Sequence, residues 1–85
     1  MTSVKVFTEP DSTMSLKLVE ALQRICSMKN LALDEVRVEG AQGMADAVQH
    51  HVLELPTVIV YNGKGTYRLS GEVTEEQVSN ILDRT

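Results

Sequence analysis

The run PTVIVYN, from Pro56 to Asn62, constrains the fold more than any other part of this 85-residue chain. It is apolar at nearly every position and β-branched through its centre, the pattern of a strand covered on both faces. A sheet containing such a strand needs a layer on either side. The turn NGKG follows as a hairpin signal, and TYRLS supplies the returning strand.

The rest of the chain supplies those layers. Residues 3–8 alternate around Val4, Val6 and Phe7 and read as a first strand, which Pro10 and Asp11 break. A helix is predicted from about Ser12 to Met28. Its stripe is Ser15, Leu18, Val19, Leu22, Ile25 and Cys26, and Asn30 is its stop. Leu33 to Glu39 alternates as a second strand, and Gly40 and Gly43 read as bracketing a turn. MADAVQHHV then reads as a short helix with Met44, Ala47 and Val48 turned inward, and His51 is open between that face and the helix's exposed end. Adjacent residues cannot share a helix face, so His50 and His51 read as this helix's exposed end and as weak metal ligands. TEEQVSNILDR opens with Thr74 as N-cap and Gln77 in the capping-box position, and buries Val78, Ile81 and Leu82. The order is β-α-β-α-β-β-α over a single domain of residues 1–85. Right-handed crossovers are expected between the first three strands, and an antiparallel strand at the end. With Phe7, Tyr61 and Tyr67 the only aromatics, the core must be aliphatic.

Charge excludes some functions. The net charge of −4 and the scattered Lys and Arg residues argue against a nucleic-acid phosphate binder. No segment approaches the ~20 apolar residues of a membrane span, and MTSVKVF has no signal-peptide core. A lone cysteine, Cys26, can form no internal disulfide, and a cytoplasmic setting is expected. Cys26 sits on the helix stripe, where a buried structural thiol is the better reading.

Three motifs together resemble the thioredoxin fold in its minimal form, the size of glutaredoxins and small redoxins. They are VFTEPDSTMS at the first strand-to-helix junction, LELPTVIVYNGK at the third strand, and LSGEVTEEQVSNIL at the last helix. The resemblance covers nearly the whole chain. It implies an α/β thioredoxin-like fold: a four-stranded mixed sheet flanked by three helices. It also implies that the family's Cys-x-x-Cys pair falls on Ser12 and Ser15. Thr13 and Met14 between them, with Leu55 and Pro56, take the substrate-binding positions. The matching proline of the family is cis and lies against the dithiol, and the residue before it offers its backbone to an extended substrate. The implied activity is thiol–disulfide exchange, with no cofactor, between a disulfide-containing protein substrate and a reductase protein. Glutathione fits less well, because the turn before the last helix carries one glycine and Glu9 and Asp11 flank the site. A tryptophan beside the pair and a buried acid in the first strand, usual in thioredoxins, are absent; Val6 stands near the latter position.

Serine changes the chemistry. Positions i and i+3 at a helix start project together, and the helix N-terminus favours a thiolate there. A hydroxyl of nearly the same shape neither ionises near neutral pH nor exchanges sulfur, so the chain is expected to be redox-inert. Serine at a helix start is also an ordinary cap. Two readings follow. One is an active redoxin in a Cys-to-Ser engineered form, which the paired near-isosteric replacement favours. The other is a natural redox-dead domain that docks partners through Leu55–Pro56. An unrelated ferredoxin-like domain is a weaker third reading, and a first strand outside the sheet centre would favour it.

Overall fold

The computed structural model describes residues 2–84. β1 (Thr2–Thr8), α1 (Thr13–Lys29), β2 (Ala32–Arg37), α2 (Gly40–Gln49), β3 (Thr57–Asn62), β4 (Thr66–Ser70) and α3 (Glu75–Asp83) follow in chain order. The sheet order is β2-β1-β3-β4. β1 is therefore internal, which removes the ferredoxin-like alternative's condition.

β3 reads in the structure as it does in the sequence: Thr57 through Val60 are all buried, because helices cover both faces of the sheet. On one face Val4, Val6, Val58 and Val60 meet Leu18, Leu22, Ile25 and Cys26 of α1 and Val78 and Leu82 of α3. On the other, Phe7 and Ile59 meet Ala47 of α2, with Val36, Val52, Leu55 and Tyr61 packed around them. The helix ends are the ones the residues announce. Asn30 closes α1 in the left-handed conformation, and Thr74 and Gln77 form a reciprocal capping box on α3. In the hairpin, the Asn62 side chain accepts from the N–H groups of Lys64 and Gly65.

Several expectations fail. β1 and β2 are parallel, but β3 runs antiparallel to β1, so α2 does not return the chain along the strands as a parallel crossover would. It carries the chain over the sheet face from the β2 edge and delivers it at the end it left. Gly40 and Gly43 are not a turn but belong to α2, whose face is also rotated from the expected one. Met44 is 59% and Val48 74% exposed, and His51 points outward. The inward line is Gly43, Asp46, Ala47 and His50.

The cause is Lys5. Its side chain emerges under α2, only 17% exposed, with its ammonium 3.4 Å from Asp46 and 3.5 Å from Asp34. A half-buried cation needs carboxylates, and this requirement outweighs exposing Met44 and Val48. His50, expected to be exposed, packs against Phe7 at 5.3 Å between ring centroids, with the rings tilted by 50°. Its Nδ1 lies 2.9 Å from the Asp46 carbonyl and 3.2 Å from the Asp46 carboxylate; two acceptors require that nitrogen to carry the hydrogen. Arg68 of β4 donates to the carbonyls of His50 and His51 and closes the helix end.

Gly43 lets α2 lie this close. A Cβ there would collide with the Arg37 carbonyl oxygen. Helix propensity alone favours Gly43→Ala by about 1 kcal/mol. The close approach reverses the sign, and we expect urea unfolding to show a loss of about 1–3 kcal/mol. A gain would refute this packing. Met44→Lys, on the outward face, should change stability by no more than about 0.5 kcal/mol.

Candidate functional site

The chain leaves β1 at Thr8 and turns through Glu9, Pro10 and Asp11 into α1. Asp11 takes φ 61°, a conformation that aspartate tolerates better than most residues. Ser12 is the N-cap, in extended conformation, and its Oγ accepts from the Ser15 N–H at 3.3 Å. Ser15 is 2% exposed, and its Oγ accepts from the Glu9 N–H at 3.3 Å. The two hydroxyls thus hold the turn: one caps the helix and the other pins the strand exit. Thr13 and Met14 between them are exposed, Met14 by 59%.

Leu55 and Pro56 lie across the same end of the sheet. β1 and β3 pair up to Phe7 opposite Thr57, and one more step of that register sets Pro56 opposite Thr8. The Leu55–Pro56 peptide bond is cis, Pro56 is buried and Leu55 half-buried. The loop is fastened on two sides. The Pro56 carbonyl accepts from the Gly71 N–H at 3.0 Å, where Gly71 holds φ +79° in the turn before α3. The buried Thr57 hydroxyl donates to the Glu54 carbonyl at 2.6 Å and lies 3.1 Å from Ser70 Oγ. Among the described residues, nothing hydrogen-bonds the backbone of Leu55.

The four positions from Ser12 to Ser15 and the Leu55–Pro56 pair share one end of the sheet, but among the described residues no hydrogen bond or ion pair links the two groups. Ser12, Thr13 and Ser15 open instead onto a groove of ≈ 760 Å³ on the β2 side of β1, between α1 and β2. Its walls include Glu9, Asp11, Leu16, Glu20, Gln23, Glu35 and Arg37. Leu55, Pro56 and Met14 are not among them. Sequence reading missed Glu20, Gln23, Glu35 and Arg37. A signal for them exists: the first two lie off the buried stripe of α1, and the others share the face of β2 that carries Leu33.

Cys26 is elsewhere, 2% exposed in the core beneath α1, about 16 Å along the helix from Ser15. Burial pushes its thiol pKa up. Among the described residues, no group of three or more His, Cys, Asp or Glu side chains could hold a metal ion. No helix there is long and apolar enough to cross a membrane.

Neither a protein-family model nor a curated protein sequence matches the chain. Solved structures do. Thioredoxin O2 from Arabidopsis thaliana, in its oxidized state, has a TM-score of 0.86 at 13% identity, over 99% of this chain and 74% of that one. Thioredoxin 1 from the thermophilic eubacterium Thermosipho africanus has 0.85 at 17%, over 96% and 91%. Fasciola hepatica thioredoxin has 0.80 at 16%, over 98% and 79%. The fold is that of thioredoxin.

Two outcomes follow. Ser12→Ala should cost about 1 kcal/mol in thermal or urea unfolding, and Ser12→Asp should retain most of it, because the side-chain oxygen is the cap. Cys26 should react slowly with a thiol reagent in the native state and fast in denaturant. Because its neutral form is favoured by folding, its contribution is present below the ordinary thiol pKa and is lost as pH rises through the higher folded value. Rapid native labelling near neutral pH would overturn the burial of Cys26.

Proposed function

We propose that this chain is a thioredoxin-type thiol–disulfide oxidoreductase scaffold in a redox-inert Ser-x-x-Ser form, cytoplasmic in setting. It docks an extended segment of a disulfide-bearing protein at Leu55–Pro56 and does not exchange sulfur with it. The observation that carries this reading is the placing of Ser12 and Ser15. They stand at i and i+3 across the N-terminus of α1, one half-buried at the rim of a groove and the other buried behind it. A thiolate-forming attacker and a sheltered resolver need that arrangement. The unbonded backbone of Leu55 supports a docked strand beside it.

A second reading has its own observation. Both serine oxygens are hydrogen-bonded within the fold, to Ser15 N–H and Glu9 N–H. This favours a natural binding domain in which hydroxyls are the structural choice and docking is the whole function.

Cysteine variants test the site. Ser12→Cys with Ser15→Cys should reduce a protein disulfide such as that of insulin, with dithiothreitol regenerating the dithiol. Ser12→Cys alone should attack a substrate disulfide and stall: its thiolate forms a bond to one substrate sulfur, the other leaves as thiolate, and no second thiol releases the product. Ser15→Cys alone should react little, because position 15 is buried. A folded double variant no faster than dithiothreitol alone would sink the oxidoreductase reading. Loss of stability on restoring the cysteines, with no gain in activity, would favour the binding domain.

A further inference from the structure

β2 is an edge strand whose outer side is open. The Val38 N–H donates to the Thr8 carbonyl at 2.9 Å, and the parallel register pairs Thr8 with Arg37 and Val6 with Glu35. In a parallel ladder the bonds alternate. Asp34, Val36 and Val38 therefore turn their backbone groups toward β1, while Leu33, Glu35 and Arg37 turn theirs outward. The Arg37 carbonyl is taken by the Glu39 N–H. The remaining outward groups, the N–H and C=O of Leu33 and of Glu35 and the N–H of Arg37, have no backbone partner among the described residues.

The groove beside this edge says what could pair there. A strand added outside β2 would place every second side chain on the α1 side, in the space between α1 and β2. The walls there carry Glu9, Asp11, Glu20 and Glu35 against Arg37 alone. That leaves the lining at −3 of a chain whose net charge is −4. Gln23 already holds Glu35 through a 2.7 Å bond from its amide, and Arg37 leans to Glu39 at 3.7 Å; among the described residues the acids of the turn and Glu20 have no ion-pair partner. Pairing with a second copy is disfavoured, since two β2 edges would bring Glu35 and its acidic neighbours together.

We infer that the free edge of β2 accepts a basic extended segment of a partner protein as a fifth strand, with Lys or Arg at alternate positions entering the groove under α1. Main-chain bonds to Leu33, Glu35 and Arg37 set the register, and the acids select the side chains. β2 is six residues long, so the recognised segment is of similar length, about 20 Å. The inference stands apart from the redox reading: the groove reaches Ser12 at one end, but the edge is free whatever occupies positions 12 and 15.

The simpler account is that charges on an edge strand only prevent unwanted pairing. Two capped hexapeptides of equal composition separate the accounts, one with Lys and Thr alternating and one with three Lys followed by three Thr. Each is titrated into the full chain, followed by amide NMR at low salt. The alternating peptide should bind about fivefold or more tighter, shift and protect from exchange the amides of Leu33, Glu35 and Arg37, and weaken as salt is added. Glu20→Gln with Glu35→Gln should lower its affinity by about tenfold, with the fold checked by the dispersion of the remaining amides. Equal binding of the two peptides, shifts spread over other acidic surfaces, no binding, or self-association through these amides would each overturn the inference. The peptide comparison on the unaltered chain decides the matter even if the double variant does not fold.

Discussion

β1 is bonded on both edges and covered on both faces, and the rest of the structure depends on how its residues divide. Val4, Val6 and Thr8 turn their backbone groups to β2, and Val4 and Val6 pack beneath α1 and α3. Lys5 and Phe7 belong to the other set, paired toward β3 with side chains beneath α2. A slip of one residue would exchange the two sets, placing Lys5 in the aliphatic core and Val6 against Asp46. Neither could be tolerated, so a single register is strongly specified.

From that register the charge distribution follows. Lys5 draws Asp46 and Asp34 under and beside α2, which takes the only charged residue of α2 inward. Its outer face is left uncharged, with Met44 and Val48 exposed. Four other acids, Glu9, Asp11, Glu20 and Glu35, collect on the other side of β1. There the strand-exit turn, the off-stripe face of α1 and the α1 side of β2 converge. The α1 side thus presents these acids in its groove, while its other charges pair between helices, Arg24 with Glu75 and Lys29 with Asp83.

The legible parts were those where one local rule sufficed. Continuous burial marked β3, a 3.6-residue stripe marked α1, and Thr74 with Gln77 marked the start of α3. The thioredoxin arrangement of four strands and three helices was legible from motif order. The phase of α2 was not, because hydrophobicity ranks Met44 and Val48 above Asp46 and His50, and only the tertiary presence of Lys5 inverts that order. The direction of β3 was not, because helix length does not say whether a crossover runs along or across the strands. Of the site, Ser12 and Ser15 could be located and their hydroxyl roles partly foreseen. The groove walls could not, since Glu20, Gln23, Glu35 and Arg37 come from two elements whose mutual placement is a long-range fact.

At the α1 terminus, shape and charge do separate jobs. The cap needs only an acceptor at position 12, and the buried bond at position 15 needs only a small group that can take the Glu9 N–H. Serine meets both needs, and a thiol would meet them less well because sulfur is the weaker acceptor. Thiol chemistry asks for something different, an environment that stabilises a negative charge at position 12. The unpaired N–H groups of the first turn, where no acidic side chain stands, provide it, while Glu9 and Asp11 on the same groove oppose it. The same acids cost nothing to a neutral hydroxyl, and they suit a cationic partner. Serine at positions 12 and 15 is therefore consistent with its electrostatic surroundings: the terminus holds a rigid turn beside an acidic groove without calling for a charge on the residue that caps it.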